Sequence, residues 1–125
     1  MYFATGLEER LLDSNKVIAR NAARQGVVVR WDGFEMMPHI WPLFFKSWPQ
    51  TDMCCQRVAR ACIDFTDGRP GSNQSMTVRI DGSETQERAP DQLTDLAMEY
   101  VHKAMKAKQA GMKVFTGAKV ATAKL

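Results

Sequence analysis

The spacing of two short apolar runs around a helical stretch near the start of the chain is the feature that most constrains the fold. Tyr2–Thr5 is apolar and is stopped by Gly6, which predicts a buried strand, and the β-branched run Val27–Trp31 predicts a second strand. Between them, Asp13–Gln25 carries apolar residues on one helical stripe, and Gly26 is placed to end that helix. A strand, a short helix and a strand form one βαβ unit, in which a right-handed crossover joins parallel strands. The sequence therefore predicts an α/β fold.

Two further helices and a polar connection are predicted along the rest of the chain. Apolar residues recur at helical spacing over Thr51–Phe65, which indicates an amphipathic helix that packs on the sheet. Residues 66–89 are rich in turn formers and predict a loop or linker, apart from a brief strand-like run at Met76–Ile80. An amphipathic basic helix that begins at a proline is predicted over residues 90–111, and a frayed tail is predicted over residues 112–125.

Length and composition exclude several classes of protein. At 125 residues the chain has room for one domain, and no apolar run approaches the roughly 20 residues that cross a bilayer. The first residues lack a basic segment followed by a long apolar one, so no secretory signal is expected. The three cysteines, Cys54, Cys55 and Cys62, match neither a disulfide framework nor a Cys-x-x-Cys metal knuckle. We therefore expect a cytoplasmic protein with reduced thiols, no metal site and no cofactor.

Positive charge is concentrated at the end of the chain. The net charge is +3, yet His102–Leu125 contains six lysines and no acidic residue. A basic tail of this kind suits a solvated helix end, or contact with an acidic partner or an anionic membrane surface, and the sequence leaves these open. The tail has no arginine and few aromatic residues, which base readout and stacking favour, so no nucleic-acid partner is expected.

Side chains capable of catalysis follow both strands of the predicted βαβ unit. Residues 6–13 contain Glu8 and Glu9 and come after the first strand, whereas residues 35–41 contain His39 and come after the second. Catalytic groups in open α/β sheets gather beyond the carboxyl ends of the strands, so a carboxylate and an imidazole can meet there. In serine hydrolases the imidazole takes the hydroxyl proton while a carboxylate holds the ring in place.

Residues 6–41 resemble part of a known family of esterases. Their sequence, GLEERLLDSNKVIARNAARQGVVVRWDGFEMMPHIW, is similar to the carboxyl-terminal region of the α/β-hydrolase fold-3 family, the hormone-sensitive-lipase-like esterases and lipases. The resemblance covers residues 1–65 and implies a partial α/β-hydrolase fold with an incomplete sheet. It also implies that Glu9 is the catalytic acid and His39 the catalytic base. Glu8 is the alternative acid, because one sequence does not exclude a shift of one residue.

The sequence departs from this family at the nucleophile. The family's serine lies in Gly-x-Ser-x-Gly and its oxyanion hole in His-Gly-Gly-Gly, and this sequence contains neither motif. The resemblance therefore implies the carboxyl-terminal fragment of a serine carboxylester hydrolase, acting on small-molecule or lipid esters and inactive alone. We expect the isolated chain to be marginally stable unless a partner supplies the absent lobe. The alternative is a non-catalytic interaction module that binds an acidic partner or a membrane through the basic helix.

The loop around His39 is unusually apolar. Tryptophan, phenylalanine, methionine and leucine side chains are concentrated at residues 34–48. Such side chains can line an acyl-binding pocket, pack in the core under the helix that follows, or contact a membrane. The sequence leaves these alternatives open.

Overall fold

The computed structural model describes residues 1–111, which form a four-stranded open sheet with helices packed against it. The strands are β1 (Tyr2–Gly6), β2 (Arg30–Phe34), β3 (Gln74–Val78) and β4 (Glu84–Gln86). The helices are α1 (Leu12–Arg24), α2 (Trp41–Phe44), α3 (Pro49–Thr66) and α4 (Met98–Gly111), with a 3₁₀ turn at Pro90–Gln92. The strands lie in the order β1-β2-β3-β4, with the first three parallel and β4 antiparallel to β3. The predicted α/β class is thus confirmed.

The predicted βαβ unit is present, but its second strand lies further along the chain than expected. β1 pairs with β2 in parallel, from Tyr2 opposite Arg30 to Gly6 opposite Phe34. The prediction placed this strand at Val27–Trp31, whose first residues form the connection that precedes β2. Intrinsic β-propensity favours the β-branched run, whereas cross-strand pairing and burial decide which residues join the sheet.

Apolar clusters cover both faces of the sheet. The cluster on the α1 face contains the buried residues Ala19, Ala23, Val29, Trp31 and Leu93. The cluster on the α3 face contains the buried residues Phe34, Met37, Trp41, Cys54 and Val78. Because side chains along a strand point alternately to opposite faces, β2 contributes Trp31 to the first cluster and Phe34 to the second. The second cluster includes residues on both sides of His39, so the core supports the loop that carries this histidine.

The linker predicted at residues 66–89 instead contains β3 and β4. β3 pairs in parallel with β2 over all five of its residues. The strand-like run expected at Met76–Ile80 begins two residues earlier in the structure, at Gln74. Ser75 and Val78 are buried, so this polar stretch contributes to the sheet and does not connect separate units.

The helix predicted over residues 90–111 is interrupted. It is replaced by the 3₁₀ turn, a non-helical segment and α4. Arg20 on α1 is buried, and its guanidinium donates to the backbone oxygens of Thr94 (2.9 Å) and Leu96 (2.6 Å). In a continuous helix these oxygens would accept hydrogen bonds from the N–H groups four residues further along the chain. Because the arginine occupies them, it stabilises a non-helical conformation of this segment. The tail predicted at residues 112–125 lies outside the described residues.

Candidate catalytic site

Two backbone segments leave the sheet side by side at the carboxyl ends of β1 and β2. Leu7 N–H donates to the carbonyl oxygen of Phe34 (2.9 Å), and Glu8 N–H donates to that of Met37 (3.3 Å). Gly6 allows this approach, because a Cβ atom at that position would lie 2.0 Å from the Met37 oxygen. A glycine is therefore required where the two segments touch.

The structure brings Glu9 and His39 together. Glu9 Oε2 lies 2.9 Å from His39 Nδ1, a hydrogen-bonding distance between residues 30 positions apart. The Glu9 side chain is 4% exposed and that of His39 is 54% exposed. Glu8, the alternative acid, is exposed and contacts the histidine loop through its backbone N–H. The geometry therefore pairs His39 with Glu9, and the catalytic role of the two residues stays a prediction.

The second oxygen of the Glu9 carboxylate accepts a hydrogen bond from α1. Asn15 Nδ2 donates to Glu9 Oε1 at 2.8 Å. The backbone N–H of Asn15 donates to the carbonyl oxygen of Leu11 (2.8 Å), which fixes the asparagine in the first turn of the helix. The only sequence signal of Asn15 is a polar side chain one helical turn after the loop that contains the acid, so its role could not be predicted from the sequence. Both oxygens of the carboxylate are thus occupied by donors.

These contacts determine which nitrogen of the neutral imidazole carries the hydrogen. An ionised carboxylate only accepts, so the hydrogen lies on His39 Nδ1 and Nε2 keeps its lone pair. Among the residues that the structure describes, His39 has no second hydrogen-bond partner. The ring is therefore arranged to accept a proton at Nε2 while the carboxylate stabilises the imidazolium that forms.

The backbone around His39 adopts a disfavoured conformation. Met36 and Ile40 have φ angles of 60° and 51°, in the left-handed region. A β-branched residue is a rare occupant of that region, since its Cβ substituents crowd the backbone. Such strain persists only where the surrounding contacts over-determine the backbone, and it concentrates at functional sites.

The apolar side chains of this loop divide between the core and the surface. Trp41 is 2% exposed, and the centroid of its ring lies 5.0 Å from the centroid of the Phe34 ring. Leu43 and Phe44, on the short helix α2, are 66% and 70% exposed. Part of the loop thus packs in the core, as one alternative expected, while α2 presents an apolar surface close in sequence to His39.

A second polar cluster, which no sequence pattern indicated, lies on the α3 face of the sheet. The buried carboxylate of Asp32 accepts from the Tyr2 hydroxyl (2.6 Å) and from Arg57 Nε and Nη2 (2.8 and 2.7 Å). Arg57 Nη1 also donates to Glu84 (2.7 Å), which joins α3 to β4. Burial, together with the hydrogen bond to Asp32, raises the pKa of the Tyr2 hydroxyl. The contacts join three strands to α3, which indicates a structural role.

Comparison of the chain with protein-family models, with curated proteins and with solved structures finds no match. We therefore infer the function from the geometry of the site and from its sequence pattern. Within residues 1–111, no three His, Cys, Asp or Glu side chains are grouped as a metal ion would require. Over the same residues, no helix has both the length and the apolar character needed to cross a bilayer.

Proposed function

We propose that Glu9 and His39 are the acid and the base of a serine carboxylester hydrolase whose nucleophile lies outside this sequence. The observation that carries the proposal is the 2.9 Å contact between a buried carboxylate and Nδ1 of a half-exposed imidazole. An ordinary surface ion pair leaves both groups in water and is weakly held, whereas here only the imidazole reaches solvent. The resemblance of residues 1–65 to hormone-sensitive-lipase-like esterases supports the same assignment.

In this proposal His39 moves the protons and Glu9 stays ionised. Nε2 removes the proton of the serine hydroxyl as its oxygen attacks the ester carbonyl carbon, and the imidazolium gives that proton to the departing alkoxide. In the second half, Nε2 takes a proton from water as the water attacks the acyl-enzyme. It then returns that proton to the serine oxygen as the carboxylic acid leaves. Glu9 holds the Nδ1–H and stabilises the imidazolium in both halves.

The serine must come from another segment, because the sequence contains no Gly-x-Ser-x-Gly motif. The free edge of β1 is where such a segment can join the sheet. Within residues 1–111, β1 pairs with β2 on one side and with no strand on the other. Parallel strands are normally buried within wider sheets. A parallel strand added beside β1 would extend the sheet and place its own carboxyl-end loop close to Glu9 and His39.

The exposed apolar side chains that follow His39 favour an ester with an apolar acyl group. Leu43 and Phe44 are mostly exposed, and ligand sites are lined mainly by apolar and aromatic side chains with a few polar groups. A small-molecule ester or a lipid ester presents such a group. Contact of α2 with a lipid surface is part of the same proposal.

Ester hydrolysis with and without complementation tests the proposal. The chain is assayed on p-nitrophenyl butyrate alone and after co-expression with an N-terminal hydrolase half that carries Gly-x-Ser-x-Gly. We expect activity only in the combined sample, because the chain alone lacks a nucleophile. In that sample His39→Ala should lower kcat by about 10³-fold or more, and Glu9→Gln by about 10²- to 10⁴-fold.

The matched control is Glu8→Gln, which makes the same change at the exposed neighbour of the acid. Its kcat should stay within about twofold of the wild-type value, because the Glu8 side chain is exposed and only its backbone N–H, which glutamine keeps, contacts the histidine loop. Two results would contradict the proposal: no hydrolysis when the two halves co-purify, or full activity in His39→Ala.

A second candidate function is binding through α4. His102, Lys103 and Lys106 are all exposed on this helix, and Tyr100 is 63% exposed beside them. Exposed lysines next to an aromatic ring suit an acidic protein or an anionic membrane surface. Cosedimentation with phosphatidylserine vesicles should then weaken steeply between about 50 and about 300 mM salt. It should weaken in Lys103→Gln and be unchanged in His39→Ala.

A further inference from the structure

We propose that Asn15 is a positioning residue that fixes the direction of the Glu9 carboxylate and, through it, the hydrogen position on His39. The catalytic meaning of this inference rests on the proposed function, but its structural content does not. Asn15 itself contacts neither the imidazole nor any reacting atom, so its action passes through Glu9.

The geometry assigns one donor to each oxygen of the carboxylate. Oε1 accepts from Asn15 Nδ2 at 2.8 Å, and Oε2 lies 2.9 Å from His39 Nδ1. The Glu9 side chain is 4% exposed, so water has little access to replace either donor. A buried carboxylate that loses a donor is left with an unsatisfied oxygen, which costs more than the hydrogen bond itself was worth.

A glutamate needs this constraint because its end is free to turn. The last torsion of a glutamate side chain is broad and roughly two-fold, so burial alone does not fix the plane of the carboxylate. Asn15 is held at the start of α1 by its own backbone hydrogen bond to Leu11. Its amide therefore reaches Oε1 from a fixed backbone position, and the hydrogen bond between them orients the carboxylate so that Oε2 faces Nδ1.

The choice of an amide matters for the charge on the site. Among the described residues, the side-chain partners of Glu9 are Asn15 and His39, and no lysine or arginine pairs with it. A cation in place of Asn15 would orient the carboxylate but would also offset its negative charge. The neutral amide orients the carboxylate and leaves its full charge available to stabilise the imidazolium.

Nuclear magnetic resonance of the chain itself tests this inference. The ¹⁵N shifts of Nδ1 and Nε2 are measured in a His102→Gln background, in which His39 is the only histidine. At a pH at which the ring is neutral, we expect the Nδ1–H form to exceed the Nε2–H form by about tenfold or more, as a charge-assisted hydrogen bond implies. Asn15→Leu removes the donor at similar volume, and the ratio should then fall by at least about threefold.

Asn15→Asp is the second variant, and Gln25→Leu is the matched control. Asn15→Asp keeps the shape of the side chain but replaces the donor with a carboxylate that repels Oε1 and turns Glu9 away from its present orientation. It should therefore lower the ratio of the Nδ1–H form to the Nε2–H form even if Asn15→Leu folds poorly. Gln25→Leu removes an exposed amide just after α1 and should leave the ratio unchanged. A wild-type ratio in both Asn15 variants, or an equal fall in Gln25→Leu, would overturn the inference.

This measurement separates the inference from the proposed function. If complementation yields no esterase but the hydrogen position still depends on Asn15, the proposed function fails and the positioning role stands. If complementation succeeds, Asn15→Leu should lower kcat by about tenfold while KM stays the same. A change in KM alone would indicate a contact with substrate and would contradict a role that acts through Glu9.

Discussion

The substitution Gly6→Ala should separate the acid from the base without altering either. A Cβ atom at Gly6 would lie 2.0 Å from the Met37 oxygen and 2.9 Å from the Pro38 oxygen. Both are backbone atoms, which cannot rotate away. Contacts of this type essentially never fall below 3.0 Å, so the histidine loop must move back by about 1 Å. If that movement is transmitted to the ring, the 2.9 Å contact between Glu9 and His39 opens to about 3.9 Å, beyond hydrogen-bonding distance.

Two costs follow from this shift, and they are measured separately. Overpacking a tight site costs about 1–3 kcal/mol of unfolding free energy, which a urea titration followed by circular dichroism reports. A displacement of about 1 Å lowers kcat by about 10²-fold, which the complemented esterase assay reports. The ¹⁵N shifts of His39 should also show loss of the Nδ1–H preference in the chain alone.

Gly26→Ala is the control for this prediction. Gly26 has a φ of +83°, and a Cβ atom there meets nothing within 4 Å. Alanine at this position carries only the backbone cost of the left-handed conformation, about 1–2 kcal/mol, and kcat should not change. If Gly6→Ala keeps the wild-type hydrogen position and the wild-type kcat, the argument that this glycine sets the distance between acid and base is refuted.

Three further predictions concern the α3 face of the sheet and can be checked on the chain alone. Arg57→Met leaves the carboxylate of Asp32 buried without its cation and should destabilise the fold by about 3 kcal/mol in urea; adding Asp32→Leu should recover part of this loss. Burial raises the pKa of the Cys54 thiol to about 11, so at pH 8 iodoacetamide should modify Cys54 far more slowly than the two exposed cysteines, as peptide mass spectrometry reports. The hydrogen bond from Arg30 lowers the pKa of the Asp64 carboxyl. The stability that this pair contributes is therefore complete at a pH above the ordinary pKa of aspartate, and it is lost as the pH falls through the lowered pKa of Asp64. In Asp64→Asn, the urea midpoint should therefore decrease less steeply as the pH is lowered through this range.

The sequence predicts the βαβ unit and the approach of Glu9 to His39 because both follow from local signals and one rule of topology. An apolar run, a helix ended by a glycine and a β-branched run indicate two parallel strands. The carboxyl ends of parallel strands share one edge of the sheet, so the acid and the histidine are expected there together. The choice between Glu8 and Glu9 needed the structure, because it depends on which side chain turns inward after Gly6.

The parts that sequence could not predict depend on long-range contacts of single side chains. Asn15 has no distinctive pattern, since polar residues are common in the first turn of any helix. The break in the helix predicted at residues 90–111 comes from Arg20, whose guanidinium donates to backbone oxygens more than 70 positions away in sequence. Asp32 lies within a strand, although aspartate is unfavourable in strands. Its burial is explained by the hydrogen bonds that its carboxylate accepts from Arg57 and Tyr2, which are distant in sequence.

The geometry of the candidate site is a consequence of the register between β1 and β2. Gly6 lies opposite Phe34, so the segments that carry Glu9 and His39 leave the sheet at the same level. A slip of one residue would move them apart by about 3.3 Å and turn each strand side chain to the other face. The apolar clusters exclude such a slip, because they hold Trp31 on one face and Phe34 on the other. The contacts that stabilise the sheet therefore also fix the pairing of Glu9 with His39. Under the proposed function, a joining segment would supply the serine and the donors for the oxyanion.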